Sequence, residues 1–245
     1  VRILQLSPKP PYPPKDGGAL GIAYFLEMWQ QAGWPCLSLS MSTYKHPYDP
    51  TYPAPVPIKA VPVNTRPTPW GALKNLFSPK PYHVDRFTSP RYAAALQETL
   101  LSFQPNLLQV ESPYLTPYLE GISLPAVYRL HNIEWQIWDR HAAERSFPLR
   151  SYLTLQARRI RRYEAAILDR YAGLLPISQK EADWATSMGY SGPIEVFPFA
   201  LEVSRYTAPP LESSHPTIGF IGGLDWMPNQ EGIVWFLEEV WPAFR

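Results

Sequence analysis

The 245-residue sequence predicts a doubly wound α/β fold, in which helices cover both faces of a parallel sheet. Three observations favour this fold. Short apolar segments alternate with helical segments along the chain. Segments such as LLQV and AVYRL are almost continuously apolar, as is typical of strands buried on both faces. The first apolar segment leads through a loop ending in Gly17-Gly18 into a helical pattern, which is a β–loop–α unit.

The individual elements follow from apolar spacing and from boundary residues. Alternating branched residues predict a first strand over 2–7, and three- and four-residue apolar spacing predicts a helix over 19–33 that Gly33 ends. Ser178 is the predicted N-cap of a helix over 179–188. The other predicted strands are 35–41, 58–63, 106–111, 126–130, 173–177 and 194–197, and the other predicted helices are 69–77, 90–103, 113–119 and 149–171.

Composition and charge exclude several classes of protein. There are 22 basic and 21 acidic side chains, and this balance argues against a nucleic-acid-binding protein, which needs a surplus of Lys and Arg. Cys36 is the only cysteine and the histidines lack metal-ligand spacing, so we expect no disulfide, no metal and no cofactor. No apolar run reaches the ~18 residues of a membrane span, and the opening VRILQLS predicts a strand rather than a signal peptide. We therefore expect a cytoplasmic protein.

The chain divides into three parts by composition. Residues 1–198 carry the alternating strands and helices, and the polar, proline-containing segment 199–215 predicts a linker. Residues 216–245 predict a strand over 216–222 and a helix from about 228 to 244, the first β–α unit of an incomplete second domain. Thirty residues cannot bury a core alone. We therefore expect this unit to dock on the first domain, to exchange with another copy in a homodimer, or to need a missing domain.

Gly17 and Gly18 are candidate binding residues because a helix N-terminus exposes free N–H groups and glycine lets a phosphate approach the backbone. The dinucleotide fingerprint is incomplete, since the frame has Asp16 where the first glycine should be. The second strand, LSLSM, also ends without the acidic residue that would bind a ribose. A nicotinamide enzyme is therefore disfavoured. It stays open whether the glycines contact phosphate or only shape the turn.

His131 and Asn132 directly follow a predicted strand, and Glu111 ends the strand before it. Because ligands of open α/β folds bind at the carboxyl edge of the sheet, we expect these side chains and Gly17-Gly18 to face one cleft. A histidine there can act as a hydrogen-bond donor or as a base near neutral pH. The alternative is a loop histidine with only structural contacts.

The long predicted helix and the segment before it are rich in arginine. Such a run is usually a solvated helix face, but it is also a candidate patch for an anionic membrane or a phosphate-bearing acceptor. The arginines concerned are Arg140, Arg145, Arg150, Arg158, Arg159, Arg161, Arg162 and Arg170.

Four segments together resemble glycosyltransferase family 4, whose members have the GT-B fold. They are ILQLSPKPPYPPKDGGALGIAYFLEMWQQAG, HNIEWQIWDR, RRYEAAILDRYAGLLPISQKEADW and FIGGLDWMPNQEGIVWFLEEVWP. The segment NLFSPKPYHVDRF resembles a variant common in bacterial surface-polysaccharide clusters. The resemblance implies two Rossmann-like domains, with the first domain holding the acceptor and the second holding most of a nucleotide-sugar donor.

The resemblance also implies a reaction and a site. The expected activity is sugar transfer to a glycan or lipid-linked acceptor with retention of configuration and without a metal, in cell-surface polysaccharide synthesis. His131 would contact the transferred sugar as the catalytic residue, while Glu111 and Asn132 would bind substrate beside it. Gly17 and Gly18 would lie near the diphosphate or the acceptor, and Gly222 and Gly223 would line the diphosphate. A protein of this kind is expected to be cytoplasmic and peripheral to the inner membrane.

Two departures from the family pattern bear on activity. The Arg and Lys that follow the second glycine loop in many members are replaced here by Leu224-Asp225 and Pro228-Asn229. The family's acidic pair lies beyond Arg245, so we expect a truncated chain that is inactive alone. Two other functions stay open: a non-catalytic module that binds a glycan or a partner, and a sugar epimerase, for which only Glu111 offers an acid/base carboxylate in the cleft.

Overall fold

A computed structural model describes residues 1–199, 217–224 and 227–244 of the chain. The chain forms two compact units, Val1–Ala200 and Leu201–Arg245. The predicted linker lies outside the described residues except for Phe199.

The first unit is built on a parallel sheet whose six strands, within the described residues, have the order β3-β2-β1-β4-β5-β6. This confirms the predicted doubly wound α/β fold, and the order is that of a Rossmann-like sheet. The strands are β1 (Ile3–Ser7), β2 (Cys36–Ser42), β3 (Ile58–Pro62), β4 (Leu107–Val110), β5 (Ala126–Leu130) and β6 (Gly173–Pro176).

Helices lie in three of the five connections between successive strands; residues 43–57 join β2 to β3 without a helix, and a 3-10 turn joins β4 to β5. Asp16 caps the first helix by accepting a hydrogen bond from the amide of Ala19, and Gly33 follows its end with a φ of +71°, so the predicted glycine stop is correct. The helices are α1 (Gly17–Gln31), α2 (Pro69–Asn75), α3 (Tyr82–Arg86), α4 (Pro90–Phe103), α5 (Glu134–Ala143), α6 (Leu149–Ile167) and α7 (Gln179–Ser187), with 3-10 turns at Pro113–Leu119 and Leu168–Arg170.

Both faces of the sheet are buried, but only one is apolar; the other carries buried polar side chains such as Gln5, Ser38 and Arg129. The apolar face holds the largest part of the core. Leu4, Leu6, Leu39, Leu108 and Leu130 have no exposed surface. Full burial of such a side chain is worth ~1.5–3 kcal/mol, so the central strands fix the register of the sheet.

Two predictions for the end of this unit need correction. The segment 194–197 is no strand: Leu174 and Ile194 form an isolated parallel bridge, although the amide of Phe197 still donates to Pro176 O at 2.8 Å. Pro198 follows directly and has no N–H with which to continue the pairing. Ser178 precedes α7 in extended conformation, but its hydroxyl donates to the Glu181 carboxylate instead of capping an amide.

Two helices were not predicted. α3 has only five residues, too few for a periodic pattern. At the start of α5, Ile133 offers no side chain that can cap the helix. The cap comes instead from Glu164, thirty residues away, whose two oxygens accept hydrogen bonds from the amides of Glu134 (2.8 Å) and Trp135 (2.9 Å). Local sequence therefore carries no start signal for α5.

The second unit contains the predicted helix but not the predicted strand. Helix α8 (Met227–Trp235) continues as a π-helical turn over Phe236–Val240 and a 3-10 turn over Trp241–Phe244. Described residues 217–221 form no strand, and the side chains of Ile218, Phe220 and Ile221 are 57%, 53% and 102% exposed. A strand is stable only when neighbouring strands satisfy its backbone groups, and the described part of this unit supplies none.

No helix in the described residues is long and apolar enough to cross a bilayer. The same residues contain no group of three His, Cys, Asp or Glu side chains arranged to hold a metal ion. Cys36 is a buried free thiol, and burial raises its pKa.

Candidate functional site

The carboxyl edge of the sheet brings together side chains from three adjacent strands. The strand order reverses between β1 and β4, and ligands of such folds bind in the crevice beside that point. Glu111 directly follows β4, His131 directly follows β5, and Gln5 lies within β1. The structure therefore places the predicted Glu111 and His131 at the switch point, on the side where Gly17 and Gly18 begin α1.

Glu111 and His131 form a direct pair. His131 Nε2 lies 2.8 Å from Glu111 Oε2, and the glutamate is only 3% exposed. Glu111 Oε1 accepts two more hydrogen bonds, from the amide groups of Gln5 (2.8 Å) and Gln109 (2.5 Å). An ionised carboxylate can only accept hydrogen bonds, so Nε2–H of His131 donates to Glu111 Oε2 in this pair. The pair fixes the ring orientation and leaves Nδ1 free for another partner.

Nδ1 of His131 is buried and has no hydrogen-bond partner among the described residues. The Phe199 ring stacks on the imidazole, with centroids 5.8 Å apart and planes inclined by 26°. Gly21 makes this stacking possible, since a Cβ at that position would come within 1.8 Å of the Phe199 ring. The third glycine of the partial fingerprint thus makes room for an aromatic ring.

A buried arginine lies behind the pair. Arg129 is 1% exposed; Nη1 donates to Leu175 O at 3.0 Å and to Phe197 O, and the guanidinium packs 4.9 Å from the ring of Phe25. Burial lowers the pKa of Arg129 to about 10, and the charge of Glu111 opposes this change. Arg129 Nε has no partner in the described part of the chain. The site therefore holds a positive charge close to the carboxylate.

The start of α1 is already occupied by a carboxylate. Asp16 caps Ala19 N at 2.8 Å and pairs with Lys9 Nζ. Burial alone would raise the pKa of Asp16, but the hydrogen bonds from Lys9 and Ala19 outweigh it and hold the pKa below its usual value. A Cβ on Gly18 would approach Lys9 Nζ to 2.9 Å, whereas Gly17 has nothing within 4 Å. An anion at this helix end would have to displace Asp16 or bind through Lys9.

The remaining predicted site residues are Asn132 in the first unit and Gly222 and Gly223 in the second. Asn132 is exposed immediately after His131. Gly222 and Gly223 belong to the second unit, where Gly223 O accepts a hydrogen bond from Asn229 at 2.9 Å and a Cβ on Gly222 would meet the Phe220 ring at 2.7 Å. Their predicted contact with a diphosphate stays a prediction.

Sequence reasoning missed Gln5, Gln109 and Arg129. Each is a polar residue inside an otherwise apolar strand, and Gln5 and Gln109 are paired in register on neighbouring strands. A buried polar group needs a partner. A lone polar residue within LQL, LQV or YRL was therefore a usable signal.

No family model matches the chain, and no curated protein matches it in sequence. Its fold does match solved structures. Sucrose-phosphate synthase from Thermosynechococcus elongatus aligns with a TM-score of 0.51 and 15% identity over 83% of this chain and 49% of that one. UGT71G1 from Medicago truncatula, solved with UDP-glucose, aligns with a TM-score of 0.51 and 13% identity over 97% of this chain and 57% of that one.

The fold and the comparisons define the class: the chain has the α/β Rossmann-like fold found in GT-B glycosyltransferases. At these identities the likeness shows the fold alone. The chain spans about half the length of these solved structures. Membership of glycosyltransferase family 4 stays a prediction.

Proposed function

We propose that the protein containing this chain transfers a sugar from a nucleotide-sugar donor to a glycan or lipid-linked acceptor. The observation that carries the proposal is the Glu111–His131 pair at the switch point of a GT-B-type sheet. Retention of configuration, a role in cell-surface polysaccharide synthesis and membership of glycosyltransferase family 4 belong to the proposal and rest on the sequence resemblance.

In this proposal His131 contacts the transferred sugar. Its Nε2–H is bound to a buried carboxylate, which increases the electron density at Nδ1. Nδ1 can then accept a hydrogen bond from a sugar hydroxyl, and the polarised ring can stabilise positive charge that develops at the anomeric carbon. In the chain as described, Nδ1 is buried and Phe199 covers one face of the ring, so the sugar would reach Nδ1 only after a rearrangement such as displacement of Phe199.

Glu111 serves as a positioning residue in this proposal. Its carboxylate is buried and bound by Gln5, Gln109 and His131, so it has no surface with which to bind substrate directly. The same arrangement argues against the epimerase alternative, since an acid/base carboxylate must reach the substrate.

The test is an assay of the whole protein against a panel of nucleotide sugars with glycan and lipid-linked acceptors, with release of nucleotide and glycosylated product as readouts. We expect acceptor-dependent release, and a loss on the order of 100-fold or more in His131→Ala. His141→Ala, a histidine on the partly exposed side of α5, is the matched control and should keep full activity.

Other outcomes identify the alternatives. Donor isomerisation without an acceptor would show an epimerase. Tight glycan binding with no release of nucleotide from any donor would show a binding module. Equal activity of His131→Ala and the unaltered protein would overturn the assigned site.

A further inference from the structure

Helix α2 (Pro69–Asn75) has the reverse of the usual polarity. Surface helices normally turn their apolar face to the core. Here the buried residue is Asn75, at 3% exposure, while Trp70, Leu73 and Phe77 are 65%, 48% and 90% exposed. These three residues recur at spacings of three and four, so they share one face. The helix and the turn after it therefore present a continuous apolar stripe to solvent.

Hydrogen bonds hold the stripe outward. Asn75 Nδ2 donates to Asp85 at 2.8 Å, and Asn75 Oδ1 accepts from Gln156 Nε2 at 2.9 Å. Arg159 on α6 donates to Asn75 O at 2.8 Å and to Leu76 O at 3.0 Å. Rotating α2 to bury the apolar stripe would break this network and leave buried polar groups without partners. The exposure is therefore fixed by the fold.

The surroundings of the stripe are basic. Segments 64–86 and 145–163 contain ten of the chain's 22 basic side chains and one of its 21 acidic ones, Asp85. Lys74 lies over the Trp70 ring, with Nζ 5.6 Å from its centroid. Arg158 and Arg162 are exposed on α6, within one turn of Arg159, which contacts α2. A chain with a net charge of +1 thus concentrates positive charge around one apolar stripe.

We propose that this α2 surface, made by Trp70, Leu73, Lys74 and Phe77 with Arg158 and Arg162, docks on an anionic lipid bilayer. Its large apolar side chains would enter the headgroup–acyl boundary while the cations pair with lipid phosphates. An aromatic and basic surface can also bind single-stranded nucleic acid, but an aliphatic Leu73 in the centre offers a base neither a stacking plane nor a hydrogen bond. The inference does not depend on the proposed transfer reaction.

The test is flotation of the 245-residue chain with vesicles. We expect it to float with vesicles of equal amounts of phosphatidylcholine and phosphatidylglycerol, to float much less with phosphatidylcholine alone, and to be released by high salt. Trp70→Ser with Phe77→Ser should weaken binding by about tenfold or more for each side chain. Leu101→Ser, which alters a 79% exposed leucine on α4, should leave binding unchanged.

The charge contribution is tested separately. Arg158→Gln with Arg162→Gln should weaken binding to the anionic vesicles by about fivefold for each charge removed. Arg91→Gln with Lys180→Gln, which removes two exposed cations on α4 and α7, should have little effect. Thermal melting should be the same for all variants, because the altered side chains are exposed.

Three results would overturn the proposal. One is flotation that Trp70→Ser with Phe77→Ser does not change. Another is a loss of self-association in that variant while flotation stays intact, which would assign the surface to a second copy of the chain. The third is tighter binding of single-stranded RNA than of anionic vesicles, lost in the same variant.

Discussion

Two glutamates in the first unit are almost equally buried but are bound in different ways. Glu111, 3% exposed, accepts hydrogen bonds from side chains only, and one of these is an imidazole at the carboxyl edge of the sheet. Glu164, 2% exposed, accepts from two backbone amides at the start of α5. Side-chain partners can exchange with substrate or move protons, whereas backbone amides are fixed by the helix. Under the proposed function, Glu111 positions a histidine that contacts substrate, whereas Glu164 caps a helix.

The largest expected effect tests the first half of this comparison. Glu111→Gln should lower kcat for sugar transfer on the order of 100-fold with little change in KM, because His131 loses the carboxylate that orients it. Steady-state kinetics of the whole protein measure both constants. Glu120→Gln, an exposed residue beyond the 3-10 turn, is the control. A change confined to KM would mean that Glu111 binds substrate directly.

The second prediction concerns the architectural carboxylate. Burial raises the pKa of Glu164 to about 8, and although the two amides lower it, nearby Glu134 raises it. The folded state then holds a proton that the unfolded state releases near pH 4.3, so stability should fall as pH rises from about 4.3 to 8. Melting curves over this range should show the fall, and Glu164→Gln should reduce it. Glu120→Gln is the control. If the melting temperature of Glu164→Gln varies with pH as it does in the unaltered protein, the pH dependence does not come from Glu164.

The third prediction concerns the contact on the His131 ring. Gly21→Ala should displace Phe199 and cost about 1–3 kcal/mol, because the new methyl group overlaps the Phe199 ring. Gly17→Ala, in the same helix with open space around it, should be neutral or slightly stabilising. Chemical denaturation measures both free energies of unfolding. Equal values for the two variants would show that Phe199 does not occupy this position.

The smallest expected effect lies beside Glu164. Tyr114→Phe removes the hydroxyl that donates to Glu134 at 2.6 Å, and should cost about 1 kcal/mol. In Tyr152→Phe the lost hydroxyl has no hydrogen-bond partner among the described residues, so no cost is expected. Denaturation of the two variants in parallel gives the difference. If Tyr152→Phe loses as much free energy of unfolding as Tyr114→Phe, the lost hydrogen bond is not what destabilises Tyr114→Phe.

The sequence predicts the strands and most helices of the first unit because their signals are local. Apolar runs mark β4 and β5, and Ser89 with Pro90 marks the start of α4, whose predicted range is correct. The start of α5 was missed because its cap comes from Glu164. The predicted strand at 216–222 was wrong for its described residues, since no described segment of the second unit pairs with it. Both depend on contacts with other segments.

The candidate site was predictable only in part, for the same reason. His131 and Glu111 were found because strand ends share an edge, and the structure brings them into contact. A lone glutamine within LQL or LQV signals a buried polar side chain, but its pairing with Glu111 depends on register and on side-chain direction, which no local pattern encodes. The same is true of the packing of Phe199 on His131.

The most direct test of the central claim is a double-mutant cycle on sugar transfer by the whole protein, with Glu111→Gln, His131→Ala and the two combined. If Glu111 acts by orienting His131, removing the imidazole leaves it nothing to orient. We therefore expect the combined variant to be no slower than His131→Ala alone. If the combined variant is slower than the unaltered protein by the product of the two single fold-changes, the two residues act independently, and the claim that Glu111 acts through His131 is contradicted.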